Sequence, residues 1–286
     1  AVVFTDKLGR DVSISQKPQR VIILDYNALD LWYHAGGTAV GRTGHILVDS
    51  RADEDEMGSE IKNVPIMNEA HDPVNIEMIV AQEPDLIIIS PTNKTHLEAV
   101  ESFEQYNIPY FAWDYDDFDG FIENLELFTL LNDRGDLYEK YASDNIIRVN
   151  AVREKISGQE PVTMVMLLPH ATNGIYALAN SGYLGNLCED MNLENIAGVE
   201  TSTVVSIESL LDIDPEWIFS RGGSGDGSEA NAKAIFESYP LWSELTAVKE
   251  GRFQHLPAEL FLYHANTRYA DAYEYLANLV YPQIFN

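Results

Sequence analysis

Three things are scarce in this 286-residue chain: cysteine, basic residues and long apolar runs. The single cysteine, Cys188, rules out an intrachain disulfide. It also argues strongly against a metal-cluster enzyme of similar lobed architecture, which needs several thiolates. Its neighbours predict a helix, so a small buried residue is expected there. Lys and Arg number 18 against 46 Asp and Glu, a formal net charge of −28. A surface this negative repels nucleic acids and anionic lipid headgroups, so no nucleic-acid partner is expected. No stretch reaches the roughly 18 apolar residues of a membrane span. Metalloprotease, CxxC, P-loop and dinucleotide signatures are missing too. Gly222-Gly223-Ser224-Gly225-Asp226 misses the G-x-S-x-G nucleophile elbow at its last position and reads as a flexible loop after a strand. No catalytic residue, no enzymatic activity and no resident cofactor are therefore expected.

What is present is a composition for folding. Hydrophobic residues make up 45% and charged residues 22%, enough core for more than one average domain. Acidic runs such as Asp53-Glu54-Asp55-Glu56 read as solvated loops. The segment Asp114–Gly120 resembles a calcium loop only in part. Asp117, Asp119 and Glu126 fall at ligand positions and Gly120 at the turn position, but Tyr115 replaces the first aspartate, so an acidic helix start is the preferred reading. Seven histidines are scattered without zinc spacing.

An internal repeat organises the chain. The segment from Val74 through Glu77, Pro84 and Asp85 to Ile89 recurs as Val205 through Glu208, Pro215 and Glu216 to Ser220, at a constant offset of 131 residues. In each copy Asn75 or Ser206 can cap a short helix, with a glutamate just inside where the helix dipole favours it. A proline closes the connection, and a buried apolar strand follows. Two α-then-β units half a chain apart predict two similar α/β lobes. Strands are expected at Val21–Asp25, Ala39–Gly41, Leu86–Ile89 and Tyr110–Trp113, then at Val162–Leu168, Trp217–Ser220 and Phe253–Leu256. Asp136 to about Ser157 lacks Gly and Pro and reads as one helix about 33 Å long. A last helix is expected over Tyr269–Tyr281. The predicted organisation is an N-terminal lobe (1–135), a linker helix (136–158) and a C-terminal lobe (159–286).

Several motifs carry a family resemblance. Phe4-Thr5-Asp6-Lys7-Leu8-Gly9-Arg10-Asp11-Val12, followed by Pro18-Gln19-Arg20-Val21-Ile22, resembles the start of iron-complex ABC-importer binding proteins, which carry ferric siderophores, haem or cobalamin. The two repeat units are similar to that family's docking-helix units. Trp242, with Leu245-Thr246-Ala247-Val248-Lys249-Glu250-Gly251-Arg252-Phe253, is similar to its C-terminal segment. The resemblance covers nearly the whole chain. It implies two Rossmann-like lobes joined by one long α-helix, with a ligand cleft between them. It also implies an extracytoplasmic monomer, periplasmic or lipid-anchored at the cell surface, that delivers an iron complex to ABC permease subunits. The start at Ala1, without Met, fits a chain trimmed after export. The family's docking glutamates correspond to Glu77 and Glu208; ordinary helix-start glutamates are the alternative.

In open α/β lobes, ligands bind beyond the carboxyl ends of the strands. That selects Tyr26, Asn27, Arg42, His45, the segment Asn68–Asp72 with His71, Trp113 and Tyr115 in the first lobe. In the second it selects His170 to Tyr183, Arg221, Tyr263 and His264. Arg221 directly follows a strand where relatives carry ligand contacts, and it can pair with a carboxylate or catecholate; a surface arginine paired with a local acid is the alternative. His71 and Tyr263 are the candidate iron ligands if the cargo is haem. The Gly222–Gly227 loop lacks the histidine of haem-binding relatives. Asn180–Tyr183 lacks the arginine of several catecholate binders. The metal chelate is thus left open among siderophore, haem and, as the nearest rival, a corrinoid.

Overall fold

A computed structural model describes residues 1–45, 56–69, 72–222 and 227–285. The acidic run around Asp53, His71 and most of the Gly222–Gly227 loop lie outside them. Contacts divide the chain into two units: residues 1–115 with 119–143, and residues 116–118 with 144–286. The division falls inside the long helix, which spans Gly135–Ile156.

Unit 1 opens with a hairpin of β1 (Val2–Thr5) and β2 (Asp11–Ile14). Its main sheet uses β3 (Val21–Ile23), β4 (Gly41–Gly44), β5 (Ile66–Glu69), β6 (Leu86–Ile89) and β7 (Tyr110–Ala112). Their spatial order is β5-β4-β3-β6-β7, and all pairings are parallel. The continuous apolar runs Val21–Ile23 and Leu86–Ile89 form its centre because parallel strands are buried on both faces. One face packs Ile22, Ile87 and Ile89 against Ile79, Phe103 and Met67.

Unit 2 uses β8 (Val162–His170), β9 (Gly174–Ala177), β10 (Leu193–Asn195), β11 (Thr203–Val205), β12 (Trp217–Ser220) and β13 (Phe253–His255). Here β8, β10, β12 and β13 pair in parallel, while β9 joins β8 and β11 in antiparallel fashion, so the second sheet is mixed. Its core gathers Val165, Leu167 and Ile218 around Phe236 and Trp242, whose rings stack at 4.7 Å.

The repeat is visible in detail. The Asn75 side chain accepts from the Met78 N–H at 3.0 Å, and Ser206 accepts from Ser209 at 3.1 Å. Each short helix ends on a left-handed residue just before its proline, Glu83 (φ 48°) and Asp214 (φ 44°). The next carboxylate pins the strand pairing. Asp85 accepts from the Gln19 and Arg20 backbones at 2.8 and 2.9 Å at the entry to β3, and Glu216 accepts from the Thr163 backbone at 3.2 Å inside β8. The same side-chain job thus sets β3 against β6 and β8 against β12.

The second half of the long helix is bound into unit 2 by polar contacts. Arg148 donates to Glu274 at 2.8 Å and to Asp271 at 2.7 Å. Buried Asn145 donates to the Thr267 carbonyl and accepts from the Ala270 N–H. Arg153 reaches Asp190, which also accepts from the Tyr273 hydroxyl. Cys188 lies 1% exposed on the helix Gly182–Asp190, in keeping with its expected packing role.

The opening motif has a structural task. The Asp6 carboxylate accepts from the backbones of Leu8, Arg10 and Ala112 and pairs with the Arg10 guanidinium, which lies over the Tyr110 ring. Burial alone would raise the Asp6 pKa. The hydrogen bonds from Arg10 and Ala112 and the Arg10 charge outweigh burial and hold it below the usual carboxylate range. Because the folded-state value is lowered, its stabilisation is complete above the unfolded pKa of about 3.9 and is lost as pH falls through the folded-state value. Asp6→Ala is expected to cost about 3 kcal/mol in urea unfolding at pH 7, with the deficit shrinking at acid pH.

Candidate functional site

Parallel strands bring every following loop to one edge of a sheet, so each unit presents a rim at its carboxyl ends. In unit 1, Asp25, Tyr26 and Asn27 follow β3 and His45 follows β4. Asp25 caps the helix Tyr26–His34 by accepting from Ala28 at 2.9 Å. Burial raises its carboxyl above the ordinary range, with the Ala28 and Asn27 amides acting in the opposite sense. The Tyr26 and His45 rings stack at 4.3 Å and 19°, and both side chains stay half-buried. The structure therefore brings Tyr26 and His45 together, with Asn27 next to Tyr26 on the same helix.

Three unit 1 candidates sit elsewhere. Arg42 is 3% exposed and donates to the carbonyls of Ile61, Thr43 and Lys62, which ties the helix Glu56–Lys62 to β4. Trp113 and Tyr115 are each 2% exposed and pack edge to face on one another, with Trp113 also on Phe128. All three were expected to meet ligand. Each is instead consumed by packing, because the hydrophobic gain of burying a large ring or capping several carbonyls is realised inside the unit.

In unit 2 the carboxyl-end rim holds His170 at the β8–β9 turn, Arg221 after β12, and Tyr263 and His264 after the helix Ala258–Phe261, whereas Asn180 and Ser181 follow the antiparallel β9 toward the other end of the sheet. His170 meets Tyr176 edge to face. Tyr183, another expected contact, is 6% exposed and donates to the Leu260 carbonyl at 2.7 Å, so it braces the rim from beneath. Burial drives the His264 pKa down to about 4, leaving a neutral imidazole at pH 7. Burial raises the Tyr263 phenol, and the Arg221 charge acts against that rise. Half-buried Arg221 lines a cavity of about 20 Å³ with Asn180, Ser181, Cys188 and Asn195.

Sequence reasoning missed His255 and Ser220. The Ser220 hydroxyl lies 2.8 Å from His255 Nδ1, and His255 Nε2 lies 3.2 Å from the Gly222 carbonyl. The Nε2–H is placed to donate to the Gly222 carbonyl, with the serine hydroxyl facing Nδ1. The only sequence signal was a histidine ending a short strand before Pro257, and that pattern is not specific.

On the repeat helices Glu77 and Glu208 are both exposed in the first turn, each on a side-chain-capped helix.

The periodic placement of these rims and helices has a counterpart among known proteins: a periplasmic binding protein family profile matches residues 21–260. The chain belongs to that family. It is 25% identical to a vitamin B12-binding protein of Vibrio campbellii over 229 residues, covering 78% of this chain and 79% of the relative. It is 24% identical to an Fe(3+)-citrate-binding protein of Bacillus subtilis over 262 residues, covering 87% and 76%. The crystal structure of the TroA-like periplasmic binding protein FepB from Veillonella parvula superposes with a TM-score of 0.80 at 20% identity, covering 100% of this chain and 92% of that one. This family member thus has the two-lobed α/β fold of ABC-importer substrate-binding proteins for iron complexes, haem or B12, and its relatives are transport proteins. No helix among the described residues is long and apolar enough to cross a membrane.

The neck at β12 constrains the family member's rim. A Cβ on Gly222 would lie 2.3 Å from the Gly227 carbonyl oxygen, whereas one on Gly227 would meet Gly222 Cα at 3.1 Å. Gly222→Ala is expected to destabilise the protein by about 2 kcal/mol in urea unfolding, and Gly227→Ala by less than half of that.

Proposed function

We propose that this chain is an extracytoplasmic carrier that delivers an iron complex, a ferric siderophore or haem, to the membrane subunits of an ABC importer. The carrying observation is the matched pair of helices. Two segments 131 residues apart in sequence build the same capped helix and leave the same first-turn glutamate, Glu77 or Glu208, exposed. A large apolar side chain stands exposed on each helix, Met78 at 39% and Ile213 at 40%. An exposed glutamate on a helix that also presents an apolar side chain is suited to an arginine-bearing protein surface. The rim residues Tyr26, Asn27, His45, His170, Arg221, Tyr263 and His264 supply aromatic, neutral imidazole and cationic contacts suited to a chelate. The Fe(3+)-citrate-binding relative supports an iron cargo.

Replacing both glutamates by arginine is expected to reduce ligand uptake and stimulation of the permease's ATPase by at least about tenfold, because like charges then face each other. Chelate affinity should stay within about twofold. Normal uptake by the double variant would remove the docking role. A corrinoid cargo is the second reading, favoured by the vitamin B12-binding relative. Absorbance spectra after incubation with haem, cobalamin and a siderophore panel separate the two readings. A shifted Soret band that is lost in His71→Ala or Tyr263→Phe marks haem, and a retained corrinoid band marks the alternative.

A further inference from the structure

We propose that His255 is a positioning residue for ligand binding: it ties together the residues on either side of Arg221 and so fixes the direction in which Arg221 leaves the second sheet. This rests on the reading of the chain as a chelate carrier with Arg221 at its rim, and it adds the residue through which that contact is aimed.

Parallel pairing makes Ser220 and His255 direct partners at the carboxyl ends of β12 and β13. The Ser220 hydroxyl lies 2.8 Å from His255 Nδ1. The ring then reaches past residue 221, and its Nε2 lies 3.2 Å from the Gly222 carbonyl oxygen. One rigid ring thus joins the residue before Arg221 to the residue after it. The ring stands on a fixed backbone. The Leu256 N–H donates to the Ser220 carbonyl at 2.8 Å, and the Gln254 side-chain amide donates to the His255 carbonyl at 2.9 Å. Ser220 is fully buried and His255 half-buried, so breaking either contact leaves a polar group short of a partner in a place poor in water.

On the side of β12 that faces β8 the hold is looser. The Arg221 N–H meets the Leu167 carbonyl at 3.4 Å, long for a backbone hydrogen bond. The His255 bridge supplies two shorter contacts across the same step. Its effect is amplified at Arg221, which carries its charge at the end of a long, flexible stem. A small turn of the backbone there becomes a larger displacement of the guanidinium. Binding groups keep a productive geometry only when supporting hydrogen bonds lock the residues that carry them. Phenylalanine at 255 would offer a ring of similar size and make neither polar contact. Glutamine would keep an acceptor for Ser220 and a donor for Gly222.

The test is calorimetric titration of the whole chain with ferric citrate, haem and cobalamin. The variants are His255→Phe, His255→Gln, Arg221→Gln and the double variant that joins His255→Phe to Arg221→Gln. Circular dichroism verifies that each is folded. For whichever probe binds, His255→Phe is expected to weaken binding about tenfold, and His255→Gln to stay within about threefold of the parent. The double variant is expected to bind no more weakly than Arg221→Gln, because a residue that acts through Arg221 then has nothing left to position. Additive losses, or an unchanged affinity in His255→Phe, overturn the positioning role and leave the carrier reading standing. Parent-like binding by Arg221→Gln overturns it too. The bridge is also read without ligand: in proton–nitrogen correlation spectra of the imidazole, His255 is expected to hold a proton on Nε2. Two exchanging tautomers would overturn the bridge. Binding of no probe overturns the carrier reading and the positioning role with it.

Discussion

Parallel pairing of the central strands is the constraint from which the rest of this protein follows. β3 lies beside β6, and β8 beside β12, each pair held in register by a carboxylate at the head of the second strand: Asp85 for the first and Glu216 for the second. A slip by one residue would turn every buried Ile, Leu and Phe of these strands to the opposite face. With the register set, the loops that follow the parallel strands gather on one edge of each sheet, while the loop after the antiparallel β9 leaves the second sheet from the other end. The glutamate helices begin at the edge where the parallel strands end: Glu208 follows β11, whose last residue Val205 pairs with Ile175 opposite Pro169, next to the His170 turn.

The charge distribution adds a second constraint. With a net charge of −28, the protein repels anions at long range, and salt screens that repulsion over a Debye length of about 8 Å at physiological ionic strength. Any anion that binds this protein is therefore held by short-range, desolvated contacts rather than by steering. Elsewhere the few basic residues are spent on internal order. Arg148 and Arg153 bind the long helix into unit 2, and Arg10 completes the Asp6 hub. Arg42 caps carbonyls in the interior of unit 1. Arg20 likewise donates to the Gln82 carbonyl.

Where sequence reasoning about the site failed, it failed for one reason. Trp113, Tyr115 and Tyr183 lie in or beside loops at the carboxyl ends of strands, as ligand contacts should, yet each turns its ring into the core. Sequence position assigns a residue to a rim but not to the water-facing or core-facing side of it. His255 was overlooked for the converse reason. Its partners Ser220 and Gly222 belong to a neighbouring strand and its exit, 35 and 33 residues away, and only parallel pairing of β12 with β13 brings them together. The antiparallel strands β9 and β11 were also missed, because strands of four and three residues carry too little periodic signal.

The sequence by itself determined the two α/β units, the long helix, the paired caps at Asn75 and Ser206 and the exposed Glu77 and Glu208. All of these depend on local periodicity, capping and proline placement, which act within a dozen residues. Tertiary structure decided which rim residues meet solvent and which meet the core. It moved Arg42 inward, placed His255 against Ser220, and set Arg221 beside a small cavity. Those outcomes depend on burial and on partners distant in the chain, and a charge becomes informative only when its surroundings, not its identity, are known.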